Sequence, residues 1–341
     1  MSEPEGIQWG IIGCGDVTET KSGPAFSLVD NSRLVAVMRR DGEKAADYAH
    51  RHNVPHWFDN AQALIEHPEV NAVYIATPPG SHMDYALAVC AAGKPAYVEK
   101  PMARSYRECI RMNDAFDHAN IPLFVAYYRR GFARFNMIKQ LIADGALGEL
   151  TGISYRHSSA VSQTTDLADL PWRLDPPQSG GGVFVDIGCH ALDLLDHVFG
   201  PLGNVRGTCA SSGLIPGVED QTAMVFETEL GVLGTGSWNF AGYIDEDILE
   251  VHGAAGRIST SIMSESPIDI VSETLTDRLT IPNPKHVQGP LIESVVSELL
   301  GIGICPSTGA SAARTSKIID TVLWDFYGGR DDEFWMRPRL K

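Results

Sequence analysis

The sequence predicts an α/β domain followed by an α+β domain, and three observations lead to this fold class. The chain has 341 residues, and a length of about 150 residues per domain favours two domains. Over residues 1–126, short apolar runs alternate with helix-like stretches, which is typical of a parallel sheet covered by helices. Between residues 151 and 281 strand-like runs dominate, which indicates a sheet rich in antiparallel pairs. The boundary is predicted between residues 126 and 127, giving domains 1–126 and 127–341.

The first domain contains five predicted strands, each an apolar run short enough to be buried on both faces. They are Ile7–Ile12, Leu34–Met38, Ala72–Ile75, Ala96–Val98 and Leu123–Ala126. Asp41 and Asp59 each precede a helix-like stretch, and each is predicted to be its N-cap residue. Ser105 and Glu108 form a predicted capping box at the start of another helix.

The second domain is predicted to combine strands and helices. The strands include Val205–Ala210, Thr222–Glu227, Val232–Trp238 and Ile248–His252. The helices are Phe132–Ala143, Val183–Phe199, Leu291–Leu300 and Ser311–Tyr327. Together these elements predict the α+β fold of this half.

Composition excludes several classes of function. Lys and Arg number 27 against 43 Asp and Glu, a net charge of −16, and such a surface repels nucleic-acid phosphates and acidic lipid headgroups. The six cysteines are scattered, without a CxxC pair or a Cys/His cluster, so neither a zinc site nor a disulfide scaffold is indicated. The N-terminus lacks the pattern of a signal peptide, and no apolar run approaches the roughly 20 residues of a membrane helix. We expect a cytoplasmic protein that binds no nucleic acid, membrane or metal.

A glycine-containing loop after the first strand predicts a dinucleotide site. Gly13 allows a tight turn, and Gly15 lets the backbone approach a pyrophosphate at the start of the next helix. Thr18 stands where the pattern G-x-G-x-x-G has its third glycine. The alternative is a plain strand–helix turn, but the position on the first strand of an alternating β/α run favours the nucleotide.

The end of the second strand indicates which cofactor is bound. Arg39 and Arg40 follow Met38, and Lys44 lies one turn further on. Basic residues at this position pair with the 2′-phosphate of NADP, whereas a carboxylate would accept from the ribose hydroxyls of NAD. Asp41 is better placed to cap a helix. We therefore expect NADP(H) to be preferred and NAD(H) to be possible, with an exposed basic turn as the alternative.

Three further segments carry motifs. Residues 76–82 read A-T-P-P-G-S-H, residues 99–101 read E-K-P, and residues 179–190 contain S-G-G-G and D-x-x-x-H. With the glycine loop, in this order and spacing, they resemble the Gfo/Idh/MocA family of nicotinamide-dependent oxidoreductases, nearest its 1,5-anhydrofructose reductase-like branch. The resemblance covers the chain from Gln8 to about Gly328. It implies a Rossmann domain at 1–126, and at 127–341 a domain for substrate binding and oligomerisation on a large, open, mainly antiparallel sheet.

The resemblance implies a catalytic trio of Lys100, Asp186 and His190, and residue chemistry agrees with it. Oxidation of an alcohol needs a group that takes the hydroxyl proton, and histidine exchanges protons near neutral pH. Asp186 lies four residues before His190, so on a helix it can orient the imidazole. Lys100 can stabilise a developing oxyanion. The alternatives are a packed helix histidine and a solvated lysine at a strand end.

The resemblance also implies the cofactor contacts, which come from the glycine loop, the A-T-P and E-K-P segments and a W-R pair. They are Gly13, Cys14, Gly15, Asp16, Val17, Ala76, Thr77, Pro78, Pro79, Ser81, His82, Glu99, Lys100, Trp172 and Arg173. Trp172 and Arg173 match a pair near the nicotinamide, the alternative being a core tryptophan with a surface arginine. His82 has the alternative of only starting a helix, and the peptide bond before Pro101 is predicted to be cis.

One departure from the family concerns the substrate. Many members carry an asparagine after the strand that ends at Val125, and Ala126 stands there in this chain. Tyr127, Tyr128 and Arg130 follow, and with Lys100, Asp186 and His190 they are the predicted substrate contacts. The alternative is that both tyrosines pack in the seam between the domains.

The predicted activity is hydride transfer between nicotinamide and a secondary alcohol/carbonyl pair. The substrate class is a sugar, a sugar derivative or a cyclitol, with a trans-dihydrodiol as the alternative. An alternative from another class is a nucleotide-binding regulator without turnover, although such proteins usually lack the lysine and histidine that this chain retains. By analogy with the family, a homodimer or homotetramer is expected.

Overall fold

A computed structural model describes residues 6–160, 171–215, 217–272, 276–331 and 333–337. It divides into two compact units. The first unit comprises Met1–Ala103, Arg107–Gly131 and Pro284–Ala313, and the second comprises Arg104–Tyr106, Phe132–Asn283 and Arg314–Lys341. The boundary at residues 126 and 127 stays a prediction; the units add that residues 284–313 pack with the first part of the chain.

Strands and helices follow one another along the chain as follows. The strands are β1 (Ile7–Ile12), β2 (Ser32–Met38), β3 (His56–Phe58), β4 (Ala72–Ile75), β5 (Ala96–Val98), β6 (Leu123–Val125), β7 (Leu150–Ala160), β8 (Gly203–Ala210), β9 (Gln221–Glu227), β10 (Leu233–Asn239), β11 (Ala241–Gly253), β12 (Gly256–Thr260), β13 (Ile268–Ser272) and β14 (Thr276–Leu279). The helices are α1 (Asp16–Thr20), α2 (Ala25–Leu28), α3 (Gly42–Arg51), α4 (Ala61–Glu66), α5 (His82–Ala91), α6 (Tyr106–Ala119), α7 (Ala133–Ala143), α8 (Pro176–Ser179), α9 (Cys189–Phe199), α10 (Gly289–Leu299) and α11 (Gly309–Tyr327). No helix in the described ranges is long and apolar enough to cross a membrane.

The first unit is built on a parallel sheet of six strands in the order β3-β2-β1-β4-β5-β6. Its aromatic centre links Trp9 to Phe26, Phe26 to Tyr74, and Tyr74 to Tyr97, with ring centroids 4.9, 5.1 and 5.1 Å apart. Val295 of α10 is fully buried in the same core. The α10 segment is therefore part of this unit, although about 160 residues of chain separate it from β6.

The second unit is built on an eight-stranded sheet in the order β14-β13-β12-β11-β7-β10-β9-β8. Its neighbouring strands are antiparallel except for β7 and β10. Side chains of β9 and β10 alternate between buried and exposed, as expected for a sheet covered on one face. The predicted fold class, a parallel sheet followed by a mainly antiparallel one, is confirmed.

Most predicted elements are present, and three details differ. Asp41 caps α3 by accepting from the Lys44 N–H, as predicted. The predicted cap Asp59 is wrong, since Asn60 accepts from the Ala63 N–H and α4 begins one residue later. The short strand β3 was not predicted, because its three residues are half-buried or exposed. The helix predicted over Val183–Phe199 is a π-helical turn at Phe184–Gly188 followed by α9.

Candidate functional site

The loop between β1 and α1 folds against the strands on either side of β1. The N–H groups of Gly13 and Cys14 both donate to the Met38 carbonyl, at 2.8 and 3.1 Å. Gly13 has φ +95°, and a Cβ there would lie 2.8 Å from Cγ2 of Thr77. Only glycine fits this turn, because the left-handed backbone and the close neighbour both exclude a side chain.

Gly15 leaves space that the protein itself does not fill. A Cβ at this position would meet nothing closer than the Gly13 carbonyl at 3.9 Å, so packing within the chain does not require glycine here. Thr18, in place of a third glycine, is fully buried and donates to the Gly15 carbonyl at 2.7 Å, which closes the loop. Burial raises the pKa of the Cys14 thiol to about 11, so it stays neutral. The open space at Gly15 fits the close approach of a pyrophosphate.

The basic residues at the end of β2 lie beside this loop. The Arg39 guanidinium donates to the Cys14 carbonyl at 3.4 Å, and Arg40 is exposed. The Lys44 ammonium lies 3.1 Å from the Asp41 carboxylate, and its hydrogen bond holds the pKa of Asp41 below the usual range. Asp41 is thus engaged by α3.

The A-T-P segment follows β4 and lies next to the glycine loop in the first unit. The Ala76 N–H donates to the Ile12 carbonyl at 2.8 Å, which continues the pairing of β4 with β1. After Pro78, a 3-10 turn runs over Pro79–Ser81. The Ser81 hydroxyl donates to Oγ1 of Thr77 at 2.8 Å, so the loop is held by its own side chains.

His82 joins this loop to the one that carries Lys100. The imidazole is fully buried, with Nε2 2.7 Å from the Thr77 carbonyl and Nδ1 3.1 Å from the Pro101 carbonyl. Burial lowers the pKa of His82, and these carbonyls oppose that shift. Its ring nitrogens therefore contact the backbone of both predicted ligand loops; the cofactor contact assigned to His82 stays a prediction.

Glu99 fixes the backbone at Lys100. Its side chain is 7% exposed, and Oε2 accepts the Lys100 N–H at 3.0 Å. Oε1 accepts the Tyr74 hydroxyl at 2.6 Å and the Gln288 amide at 2.5 Å. The peptide bond between Lys100 and Pro101 is cis, as predicted. Lys100 thus follows β5 at the carboxyl edge of the parallel sheet, where such sheets bind ligands.

The residues after β6 are largely buried within the first unit. Tyr127 is 1% and Arg130 4% exposed, while Tyr128 is half-buried. The Arg130 guanidinium donates to the Pro306 carbonyl at 3.0 Å. Their substrate contacts stay a prediction.

Asp186 and His190 lie at the start of the long helix of the second unit. Asp186 is in the π-helical turn and His190 is in the first turn of α9, and both are buried. The α-helical spacing expected between them is therefore wrong for the first part of this segment. π-Helical turns inside helices occur frequently at functional sites.

Arg173 pairs with Asp186 in the second unit. Its Nε lies 3.1 Å from a carboxylate oxygen of Asp186, and its guanidinium stacks on the Trp172 ring at 4.4 Å. The cofactor contacts expected of Trp172 and Arg173 stay a prediction, as does the catalytic role of Asp186.

The glycine run before this helix is held by buried charged groups. Gly180 has φ +84° and its carbonyl accepts from Arg330 at 2.7 Å. The Gly182 N–H donates to Oε1 of Glu219 at 2.8 Å, and the Tyr327 hydroxyl donates to Oε2 at 2.6 Å. Burial raises the pKa of Glu219, although these two donors oppose the shift.

The structure brings the predicted residues together in two groups, one in each unit. The glycine loop, the A-T-P segment and the Lys100 loop adjoin one another in the first unit, and Arg173, Asp186 and His190 lie in the second. Within the described ranges, no group of three or more His, Cys, Asp or Glu side chains could hold a metal ion. Tyr74, Gln288 and Arg330 were not predicted, since each acts through a contact distant in sequence and belongs to no motif.

Comparison with known proteins identifies the family. Residues 7–127 match the oxidoreductase family with an NAD-binding Rossmann fold, and residues 135–259 match the GFO/IDH/MocA C-terminal domain. Oxidoreductase P35 of Formosa agariphila is 38% identical over 319 residues, which cover 92% of this chain and 97% of that protein. The chain belongs to the Gfo/Idh/MocA oxidoreductase family. The resemblance seen in its motifs is confirmed.

Two more comparisons place this Gfo/Idh/MocA protein among its relatives. The 1,5-anhydro-D-fructose reductase of Ensifer adhaerens is 28% identical over 268 residues, covering 78% of this chain and 79% of that enzyme. The structure of levoglucosan dehydrogenase in complex with NADH matches with a TM-score of 0.83 at 20% identity, covering 93% of this chain and 96% of the other. The second likeness shows the shared fold. This family member is an oxidoreductase with an NAD-binding Rossmann fold.

Proposed function

We propose that this protein transfers a hydride reversibly between a nicotinamide cofactor and a secondary alcohol/carbonyl pair of a sugar, a sugar derivative or a cyclitol. The observation that carries the proposal is the position of Lys100, held by Glu99 at the carboxyl edge of the parallel sheet. The names of two relatives, an anhydrofructose reductase and a levoglucosan dehydrogenase, support the substrate class. We assign nucleotide binding to residues 1–126 and substrate binding to residues 127–341.

The roles of the trio follow from their chemistry. His190 exchanges the hydroxyl proton, since its imidazole can do so near neutral pH. Lys100 stabilises the oxygen as negative charge develops on it. Asp186, paired with Arg173, orients His190. The nicotinamide supplies or accepts the hydride when bound. Tyr127, Tyr128 and Arg130 are assigned to the substrate.

NADP(H) is the proposed preferred cofactor. Gly13 and Gly15 would hold the pyrophosphate, because the space at Gly15 is open. We assign Arg39 and Arg40, which follow β2, to the 2′-phosphate; the engagement of Asp41 by Lys44 supports this assignment. Titration with NADPH and NADH, followed by cofactor fluorescence, tests this assignment. The assignment is supported if NADPH binds more tightly than NADH and its affinity falls in R39A/R40A. It is overturned if NADH binds as tightly as NADPH or more tightly.

A substrate screen with single variants tests the activity. The screen covers sugars, sugar ketones, cyclitols and a trans-dihydrodiol with either cofactor. We expect K100M and H190N each to lower kcat by at least about 100-fold, a typical contribution of one proton-transfer or oxyanion group. The exposed Lys139 and His118 provide the matched controls K139M and H118N. Full turnover by both K100M and H190N refutes the mechanism, and turnover only of the dihydrodiol refutes the substrate class.

We propose that the protein is a cytoplasmic homodimer or homotetramer. Val225 and Leu233 are 50% and 70% exposed on neighbouring strands of the second sheet, and exposed apolar side chains of this kind are typical of subunit contacts. Light scattering of the protein and of V225E/L233E tests the assembly. A wild-type monomer overturns it.

A further inference from the structure

Gln288 is a buried residue that no motif includes. It is 1% exposed and immediately precedes α10. Its side chain reaches Glu99, which lies 189 residues earlier in the chain, with Nε2 2.5 Å from Oε1 of Glu99. A buried amide beside a carboxylate is a strong hydrogen-bond donor, because the acceptor is charged and water is excluded.

The chemistry of its neighbours fixes the orientation of the Gln288 amide. Nε2 faces the Glu99 carboxylate, which can only accept, while Oε1 accepts from the Tyr97 hydroxyl at 3.0 Å. Exchange of the oxygen and nitrogen would place Oε1 against the carboxylate. A glutamine therefore fits this position and an ionised glutamate does not.

The backbone of Gln288 is held by the end of α1. Its N–H donates to the Lys21 carbonyl at 3.3 Å, and Nδ1 of His286 lies 2.8 Å from the Thr20 carbonyl. The position of Gln288 is thus set by the helix that follows the nucleotide loop. Its side chain spans from there to the end of β5.

We propose that Gln288 is a positioning residue for Lys100, and this inference rests on the proposed function. Gln288 and Tyr74 hold one oxygen of Glu99, so the other oxygen is aimed at the Lys100 N–H. Loss of the amide lets the carboxylate turn, and the backbone of Lys100 loses its fixed acceptor. The lysine then samples positions away from the reacting oxygen, which lowers kcat more than it changes substrate or cofactor binding.

Two substitutions at one position test this role. Q288L removes the donor, whereas Q288E keeps the shape and can donate only when the pair with Glu99 holds a proton. The titratable groups around that pair are Tyr74, Tyr97 and His82. Q62E is the matched control, because the exposed Gln62 donates to a carboxylate oxygen of Glu66 at 2.8 Å.

We expect Q288L to lower kcat on the order of 10-fold, the effect of about 1.4 kcal/mol that one charged hydrogen bond can supply. KM and the cofactor Kd change less than about twofold. Q288E loses a similar factor, because two carboxylates side by side have no donor between them. Q62E matches wild type.

Amide hydrogen exchange gives a readout that needs no turnover. The segment containing Lys100 exchanges at least about tenfold faster in Q288L than in wild type or Q62E, while the glycine loop is unchanged. Wild-type kcat and wild-type exchange in Q288L overturn the inference, as does wild-type kcat in Q288E. If wild type turns over no substrate in the screen, the proposed function fails, and the exchange result decides the positioning role separately.

Discussion

Each unit of this protein uses one buried glutamate to hold a loop, and the two glutamates differ in their donors. The loop in the first unit carries Lys100, and the one in the second unit is the glycine run that precedes Asp186. Glu99 accepts from three donors, Tyr74, Gln288 and the Lys100 N–H. Glu219 accepts from Tyr327 and the Gly182 N–H, one at each oxygen, and burial raises its pKa. A carboxylate removed from water is stable as an anion only when donors replace its hydration.

Because their donors differ, the two glutamates should respond differently to substitution. At Glu99 the Lys100 N–H at one oxygen and the Gln288 amide nitrogen at the other can only donate, so the site requires two accepting oxygens. At Glu219 the Tyr327 hydroxyl can turn and accept instead, so one oxygen position can become a donor. The loop at Lys100 therefore requires a charged carboxylate at position 99, whereas the loop at Gly182 requires only a side chain of the same shape at position 219.

The largest expected effect concerns one glycine in each unit, Gly13 in the glycine loop and Gly180 in the S-G-G-G run. A Cβ at Gly180 would lie 2.5 Å from the Arg104 carbonyl oxygen, whereas a Cβ at Gly13 meets Cγ2 of Thr77 at 2.8 Å. Both have positive φ. We expect G180A to lower the free energy of unfolding by about 4 kcal/mol and G13A by about 3 kcal/mol, from left-handed strain plus overpacking.

Chemical denaturation measures these losses. G145A is the control, because Gly145 has φ +76° and open space around it, and it should cost only about 1 kcal/mol. Adding T77S, which removes Cγ2, should restore part of the stability lost in G13A. A cost for G180A no larger than that for G145A would show that the backbone at Arg104 yields.

The next effect compares Glu99 with Glu219 directly. In E99Q the new amide faces a donor in either orientation, either the Lys100 N–H or the Gln288 amide, so we expect a loss of about 3 kcal/mol at neutral pH. In E219Q the amide can donate to the Tyr327 oxygen while its carbonyl accepts from Gly182, so the loss is about 1 kcal/mol. Equal losses in urea denaturation would contradict the difference in donors.

The stability cost of E219Q should depend on pH. The folded pKa of Glu219 is raised above the ordinary value of 4.5, so the folded protein keeps a proton that the unfolded chain releases. The free energy of unfolding contributed by this group is present below about pH 4.5 and is lost as the pH rises through the folded pKa. The stability cost of E219Q should therefore fall as the pH rises above about 4.5; a cost that grows with pH would mean that the anion is stabilised.

The smallest expected effect concerns the two phenols. Tyr74 and Tyr327 each donate to a buried glutamate at 2.6 Å. Y74F leaves Glu99 with its other two donors, and we expect a loss of about 1 kcal/mol. Y327F leaves Glu219 with the Gly182 N–H, and we expect about 2 kcal/mol. Thermal and urea unfolding of both variants give the order, and a greater loss in Y74F would reverse it.

The sequence predicts the layout of this molecule better than its long-range contacts. The buried strands β1, β4 and β5 are identified with their bounds, because runs such as Ile7–Ile12 are apolar on both faces. The edge strand β3 escapes prediction, since its exposed residues carry no such pattern. At Asn60 two adjacent residues can both cap a helix, and sequence alone does not choose between them.

In the candidate site, too, residues in motifs can be predicted and residues that act through long-range contacts cannot. The motif residues Gly13, Lys100 and Asp186 can be singled out because their segments resemble motifs of the family. Gln288 cannot, because the reason for its identity is a carboxylate 189 residues away. The π-helical turn at Asp186 is equally hidden, since Phe184–Gly188 has no signal that separates it from an ordinary helix.

The return of residues 284–313 to the first unit has a consequence for synthesis of the chain. The ribosome releases β1–β6 long before α10. Until α10 is made, the aromatic core around Trp9 lacks the side chains of that helix, and the carboxylate of Glu99 lacks the Gln288 amide. At about 5–20 residues per second, the 189 residues between Glu99 and Gln288 correspond to a delay of roughly 10–40 s. During that interval the apolar side chains that α10 covers stay exposed in the nascent first unit, and transiently exposed surface of this kind is prone to aggregation.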